Sequence, residues 1–122
     1  MLHKGKAYHE AILAISKSAP RKDREGWLDL LVDSRHKAET GVDPAVVRLG
    51  FDALAEERQA SPNYVHGAYF IASDMGKYLG QTFTPDPRLD QYRGEHGLRE
   101  SFFADTVKNA VVWWEKNRHR YE

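Results

Sequence analysis

The chain has 122 residues, which is typical of one domain and enough to bury a hydrophobic core without disulfides or metals. It contains no cysteine, which excludes disulfide bridges and zinc sites with thiolate ligands. Basic and acidic residues number 18 each, whereas a dedicated nucleic-acid-binding protein usually carries a basic excess. With 41% hydrophobic and 30% charged residues, the composition is that of an ordinary globular domain. We therefore expect a single domain over residues 1–122 that binds no nucleic acid.

The apolar runs in the chain are short. The run Ala11–Ile15 is shorter than the apolar core of a secretory signal, and no run approaches the length of a membrane span. The sequence therefore predicts a cytoplasmic protein that does not contact a membrane.

Two helices are predicted in the first third of the chain. Apolar residues recur at helical spacing within His3–Ser18, and Pro20 then ends the helix. A second helix is predicted from about Asp23, a suitable N-cap, to about Lys37, followed by a break at Gly41. Its expected buried stripe comprises Trp27, Leu30, Leu31 and Ser34, and Leu28 and Val32 widen it.

Two proline dipeptides predict the starts of the third and fourth helices. Asp43-Pro44 combines an N-cap acid with proline at the first helical position, and the helix should run to about Arg58. Ser61-Pro62 repeats this pattern and predicts a helix to about Leu79. Gly67 and Gly76 weaken that helix by up to ~1 kcal/mol each relative to alanine, so we expect them to permit close helix–helix approach.

The stretch Leu98–Tyr121 is predicted to form the helix that closes the core. It concentrates large aromatic side chains, each able to bury ~150–250 Å². Trp114 among them should be largely buried against the third and fourth helices. No alternating strand pattern occurs in the sequence. The predicted fold is therefore all-α, with five helices in a single domain and one long loop before the last helix.

The segment DPAVVRLGFDAL resembles the second helix of a HEAT-type repeat. The matching residues are Asp43, Pro44, Val47, Arg48, Ala53 and Leu54. The helix containing Trp27–Val32 would be its partner, and the resemblance implies antiparallel helix pairs. The long connection Asp33–Val42 and the loop Gly80–Gly97 depart from a compact repeat. The whole chain, with its aromatic last helix, also resembles small HEAT-like bacterial proteins, some of which are immunity proteins to secreted toxins.

The loop Gly80–Gly97 has no helical period and exceeds the ~2–8 residues usual for connections between helices. We expect it to be exposed and to form a partner-binding surface with the outer face of the fourth helix, where Phe70 would be an apolar anchor among polar groups. The predicted contact residues are His66, Phe70, Asp74, Lys77, Asp86, Arg88, Asp90, Tyr92, Arg93, Glu95 and His96. The alternative is an ordered coil that covers one end of the core with Phe83 and Tyr92.

Two functions remain open at this point. The preferred one is a non-enzymatic module that binds another protein, such as a cognate toxin whose active site it would cover. The rival is a small helical hydrolase or metal-dependent enzyme that uses His66, Asp74, Glu95 and His96. Against the rival, no two histidines have the i,i+4 spacing of helical zinc ligands, and His66 and Asp74 lie roughly 12 Å apart at ~1.5 Å per residue. The sequence therefore predicts no catalytic residue, no metal and no cofactor.

Overall fold

The computed structural model describes residues 4–92 and 97–122, which form an all-α structure without β-strands in those ranges. The prediction of an all-α fold is confirmed. Six α-helices are described: α1 Lys4–Ser18, α2 Arg21–Val32, α3 Ser34–Thr40, α4 Pro44–Ala60, α5 His66–Leu79 and α6 Gly97–Asn117. Two short 3₁₀ helices follow α5 and α6, at Asp90–Tyr92 and Arg118–Tyr121 respectively.

Helix α4 lies at the centre of the packing. It contacts α2 and α5, while α1 packs on α2 and α6 packs on α5. Fully burying one aliphatic or aromatic side chain stabilises the folded state by ~1.5–3 kcal/mol. Because α4 has interfaces with both α2 and α5, the side chains buried there stabilise most of the core. On α2, α4 and α5, the core residues with the lowest exposure are Leu28, Leu31, Val46, Val47, Leu54, Ala72, Met75 and Tyr78.

The predicted second helix is two helices, so the prediction of five helices is wrong. Asp33 has extended backbone angles, φ −54° and ψ 136°, which end α2. Its carboxylate accepts hydrogen bonds from the backbone N–H groups of Arg35 and His36 and thereby caps α3. Ser34 consequently begins α3 instead of extending the stripe of α2. Leu30, also predicted to be buried, is 40% exposed, and Leu28 and Leu31 form the buried face.

The predicted fourth helix begins later than expected. Ser61-Pro62 does not start it, because the backbone N–H of Tyr64 donates to the carbonyl of Ser61 and closes a turn. Helix α5 begins at His66, after Val65, which makes no side-chain cap. Tyr64 is thus displaced from the helix and is 61% exposed.

The two glycines of α5 have different neighbours. A Cβ at Gly67 would lie 2.6 Å from Oε1 of Glu57 on α4, so this glycine does permit close approach to another helix. A Cβ at Gly76 would lie 2.9 Å from the carbonyl oxygen of Gln81. Gly76 therefore accommodates the chain that leaves α5, and the prediction of helix–helix approach is wrong for it.

Helix α6 contributes Val107 and Ala110 to the core. Trp114 stacks on Phe51 of α4, with ring centroids 4.5 Å apart and an angle of 2° between the planes. It is partly buried against the core, and Phe51 belongs to the third predicted helix. Within the described ranges, no helix has both the length and the apolar character that crossing a bilayer requires.

Candidate functional site

The loop after α5 is anchored to the core by two aromatic side chains. Phe83 is 5% exposed and Tyr92 is 1% exposed. The Tyr92 hydroxyl donates to Oδ2 of Asp105 at 2.6 Å, and the Tyr92 ring packs edge-on against Phe102. The hydrogen bond to Asp105, together with burial, raises the pKa of Tyr92. The exposure predicted for Tyr92 is therefore wrong. The alternative, an ordered coil that covers one end of the core, describes Phe83 and Tyr92 correctly.

Two of the charged residues of the loop pair with each other. The Arg88 guanidinium donates to both carboxylate oxygens of Asp86, at 3.1 Å each, and the backbone N–H of Arg88 donates at 2.9 Å. These bonds hold the pKa of Asp86 below its usual range. Asp90 is exposed and begins the 3₁₀ helix Asp90–Tyr92. The remaining predicted loop residues, Arg93, Glu95 and His96, lie outside the described residues.

An aromatic patch, which comprises Tyr64, His66, Phe70 and Phe103, covers the start of α5 and part of α6. The His66 ring stacks on Phe70 with centroids 5.5 Å apart and an angle of 8°, and it also contacts Phe103 at 4.8 Å and Tyr64 at 5.6 Å. Tyr64 and Phe70 are 61% and 49% exposed. The structure thus brings the predicted residues His66 and Phe70 together. It adds Tyr64, which follows the turn at Ser61, and Phe103 of α6.

Asp74 lies in a different environment from His66. It interacts with Asp29 of α2, and its pKa is raised to about 7, first by burial and then by the Asp29 carboxylate, with a smaller contribution from Glu25. Lys77 acts in the opposite direction but does not offset these effects. Asp74 is therefore one member of a carboxyl pair, and His66 belongs to the aromatic patch. Across the part of the chain that the structure describes, no three histidine, aspartate or glutamate side chains form a group that could hold a metal ion.

Three side chains that the sequence patterns do not connect form a largely buried hydrogen-bonded chain. Nδ1 of His9 lies 2.7 Å from Nε2 of His36, and Nε2 of His9 lies 2.7 Å from Oδ2 of Asp43. His9 and His36 are 7% and 8% exposed. Asp43 also caps α4 through Oδ1, which accepts from the N–H of Ala45 at 2.9 Å, and its own N–H donates to the Tyr78 hydroxyl at 2.8 Å. We call these three residues the His–His–Asp chain.

The Asp43 carboxylate determines where the protons of this chain lie. Burial raises the pKa of Asp43, but the hydrogen bonds from His9 and Ala45 and the charges of His9 and Arg48 outweigh it, so the pKa lies below its usual value. An ionised carboxylate only accepts, so Nε2 of His9 carries a hydrogen. A protonated His9 would donate through Nδ1 to Nε2 of His36, whereas Nδ1 of neutral His9 accepts from Nε2–H of His36. In the neutral case, Nδ1 of His36 is an unprotonated acceptor.

The His–His–Asp chain lies along a groove of ≈1340 Å³ between α1, α3 and the start of α4. A second groove, of ≈580 Å³, runs beside the aromatic patch between the end of α4 and α6. Comparison with known proteins provides no identity: no family model matches the chain, and no curated protein or solved structure is significantly similar to it.

Proposed function

We propose that the chain is a non-enzymatic protein-binding module whose contact surface is the aromatic patch. The observation that carries this proposal is the exposure of Tyr64 and Phe70, at 61% and 49%, within one cluster of touching rings. Single exposed apolar residues are common on proteins, but clustered large aromatics are typical of the energetic centre of an interface.

The rings of the patch are held in place before any partner binds. His66 contacts Tyr64, Phe70 and Phe103, and Phe103 packs on Tyr69 with centroids 4.0 Å apart. Side chains that are already ordered lose little conformational entropy on association, and this supports binding.

The second groove extends the patch and indicates the chemistry of the partner. Its floor includes Val107 and Val111, and Val112 at its edge is 41% exposed. The charged residues that line the groove are Arg58 and Lys108, both exposed cations. We therefore propose a partner segment that places apolar side chains in the groove and carboxylates at its rim.

In its finer form, the proposal is that the partner is a bacterial toxin whose active site the module covers. This form rests on the resemblance to small HEAT-like immunity proteins. The charged and polar contact residues predicted from the sequence would then set partner specificity and association rate more than affinity. These residues are Asp74, Lys77, Asp86, Arg88, Asp90, Arg93, Glu95 and His96.

The test compares the wild-type chain with Phe70→Ala and Tyr64→Ala in affinity capture, followed by titration of the captured protein after its purification. Both variants should lose binding worth ~2 kcal/mol or more, because hot-spot aromatics contribute that much. Ile15→Ala is the matched control, because Ile15 is 42% exposed on α1 and lies outside the patch. The control should bind like wild type.

Thermal melts of the same variants check that the fold is intact. Phe70 and Tyr64 are largely exposed, so their removal should change the melting temperature little. Full binding by both patch variants would contradict the proposal. The proposal would also be contradicted if the Ile15→Ala control lost binding as much as the patch variants do.

A further inference from the structure

The first groove, which the His–His–Asp chain borders, combines apolar walls with the imidazole ring of His36. Leu13, Leu30 and Val42 line it, and the latter two are 40% and 44% exposed. Tyr8 also lines the groove, is 45% exposed, and contacts the His36 ring edge-on with centroids 5.6 Å apart. A ligand in this groove would contact hydrocarbon on some sides and the Tyr8–His36 pair on another.

His36 is the unusual polar group of the groove. Its side chain lines the groove although the residue is only 8% exposed, and no hydrogen bond in the described part of the chain involves Nδ1. When His9 is neutral, its Nδ1 accepts from Nε2–H of His36, so Nδ1 of His36 presents a lone pair. Nδ1 is not sealed off from the groove, so a ligand that donates a hydrogen bond can reach it there.

The charges close to His36 favour a cationic donor. Burial and the charge of His9 lower the pKa of His36, whereas the carboxylates of Glu39 and Asp33 act in the opposite direction, which places both near the ring. Two cations, Lys6 and Arg35, line the groove, but four carboxylates line it as well: Glu10, Asp33, Glu39 and Asp43. An anion would meet the Nδ1 lone pair and two carboxylates, and a cationic N–H donor would be attracted by all three.

We propose that this groove binds a primary ammonium group on a short apolar chain, with an ammonium N–H donating to Nδ1 of His36. The carboxylates of Asp33 and Glu39 balance its charge, and Tyr8, which is 45% exposed, lines the same groove. The apolar chain lies against Leu13 and Val42. The same chemistry occurs in a free alkylamine and in a lysine side chain.

Asp43 is a positioning residue in this proposal, because it does not touch the ligand but fixes the acceptor. In Asp43→Asn, the amide oxygen can still cap α4, while the amide NH₂ faces Nε2 of His9 and donates to it. His9 must then donate through Nδ1 to Nε2 of His36, so Nδ1 of His36 carries a hydrogen and becomes a donor. The substitution preserves size and capping, since Asn and Asp are similar N-caps, but reverses the polarity of the site.

The experiment is a titration of the ¹⁵N-labelled chain with pentylamine at pH 7.5, followed by amide and imidazole NMR spectra. We expect saturable shifts at Tyr8, Leu13 and Val42, and a loss of affinity of about tenfold or more in Asp43→Asn and in His36→Phe. Imidazole ¹⁵N shifts should show Nδ1 of His36 without hydrogen in wild type and with hydrogen in Asp43→Asn. Pentanoate is the control of similar length and opposite charge, and it should not bind.

A second arm replaces pentylamine by Nα-acetyl-lysine amide. Tighter binding of this compound assigns the site to a lysine side chain, and tighter binding of pentylamine assigns it to a free amine. The proposal is overturned if pentylamine shifts no resonances of the groove, or if pentanoate binds as tightly as pentylamine. It is also overturned if Asp43→Asn binds pentylamine like wild type while its imidazoles show the reversed protonation. If His36→Phe does not fold, Asp43→Asn decides the question alone.

Discussion

The end of α5 offers a direct test of how the following loop is held. The N–H of Gln81 donates to the carbonyl of Gly76 at 2.9 Å, and Gly80 takes a left-handed conformation with φ 68°, so the chain folds back over the last turn of the helix. A Cβ added at Gly76 would lie 2.9 Å from the carbonyl oxygen of Gln81 and 3.2 Å from the ring of Phe83. Gly76→Ala must therefore displace the backbone of the loop.

The size of the effect follows from two opposing contributions. Alanine in place of glycine inside a helix gains up to ~1 kcal/mol of stability. Overpacking a filled site costs ~1–3 kcal/mol, and here the obstacle is backbone anchored by Phe83, which is 5% exposed and whose carbonyl accepts from Asn109 at 2.9 Å. We expect Gly76→Ala to be net destabilising, because neither the carbonyl nor the buried ring can move without loss.

Gly26→Ala on α2 is the matched control. A Cβ there would have no neighbour within 4 Å, so the substitution should stabilise the chain by ~0.5–1 kcal/mol. The helix-propensity gain is common to both variants, and the difference of ~1–3 kcal/mol between them isolates the steric cost at Gly76. Urea denaturation measures both free energies of unfolding. Equal stabilisation by the two substitutions would refute the described path of the loop over α5.

Three further predictions concern the loop anchor and pH. Tyr92→Phe keeps the packing but loses the bond to Asp105, so the melting temperature should fall by a few degrees with partner binding unchanged; weaker binding at unchanged stability would show that Tyr92 contacts the partner. The pKa of Asp74 is about 7 in the folded chain, whereas its ordinary value is 3.8, so the folded state binds this proton more tightly than the unfolded state does. The free energy of unfolding therefore falls as the pH rises from 3.8 to about 7. Asp74→Asn should therefore raise the melting temperature more at pH 8 than at pH 4, and an equal effect at both would contradict the raised pKa. The pKa of His36 is lowered from 6.5 in the folded chain, so as the pH drops the unfolded chain takes up the imidazole proton first, and stability should fall below pH 6.5. The substitution His36→Gln should reduce this loss of stability, as measured by thermal melts between pH 5 and pH 7.5.

Local signals predicted much of the helical layout and failed where one side chain has two possible roles. Asp43-Pro44 begins α4 as expected, because an acid at the N-cap and a proline at the first turn both act within a few residues. Asp33 is the same type of residue, but it lies within a continuous helical pattern, and its role as the cap of α3 depends on extended backbone angles at that position. Ser61-Pro62 can likewise begin a helix or a turn, and in the structure it begins the turn that the N–H of Tyr64 closes.

The functional residues divide in a similar way. Phe70 and His66 could be placed together because they lie one turn apart on one helix, and residues at that spacing are neighbours. His9, His36 and Asp43 could not be joined, because they are separated by 27 and 34 positions and meet only when α1 packs beside α3 and the start of α4. The scattered histidines had therefore indicated no site. One link was nevertheless present in the sequence: a carboxylate at an N-cap uses one oxygen for the helix and keeps a second acceptor for a neighbour. At Asp43 that second oxygen binds Nε2 of His9, and this bond places a hydrogen on that nitrogen.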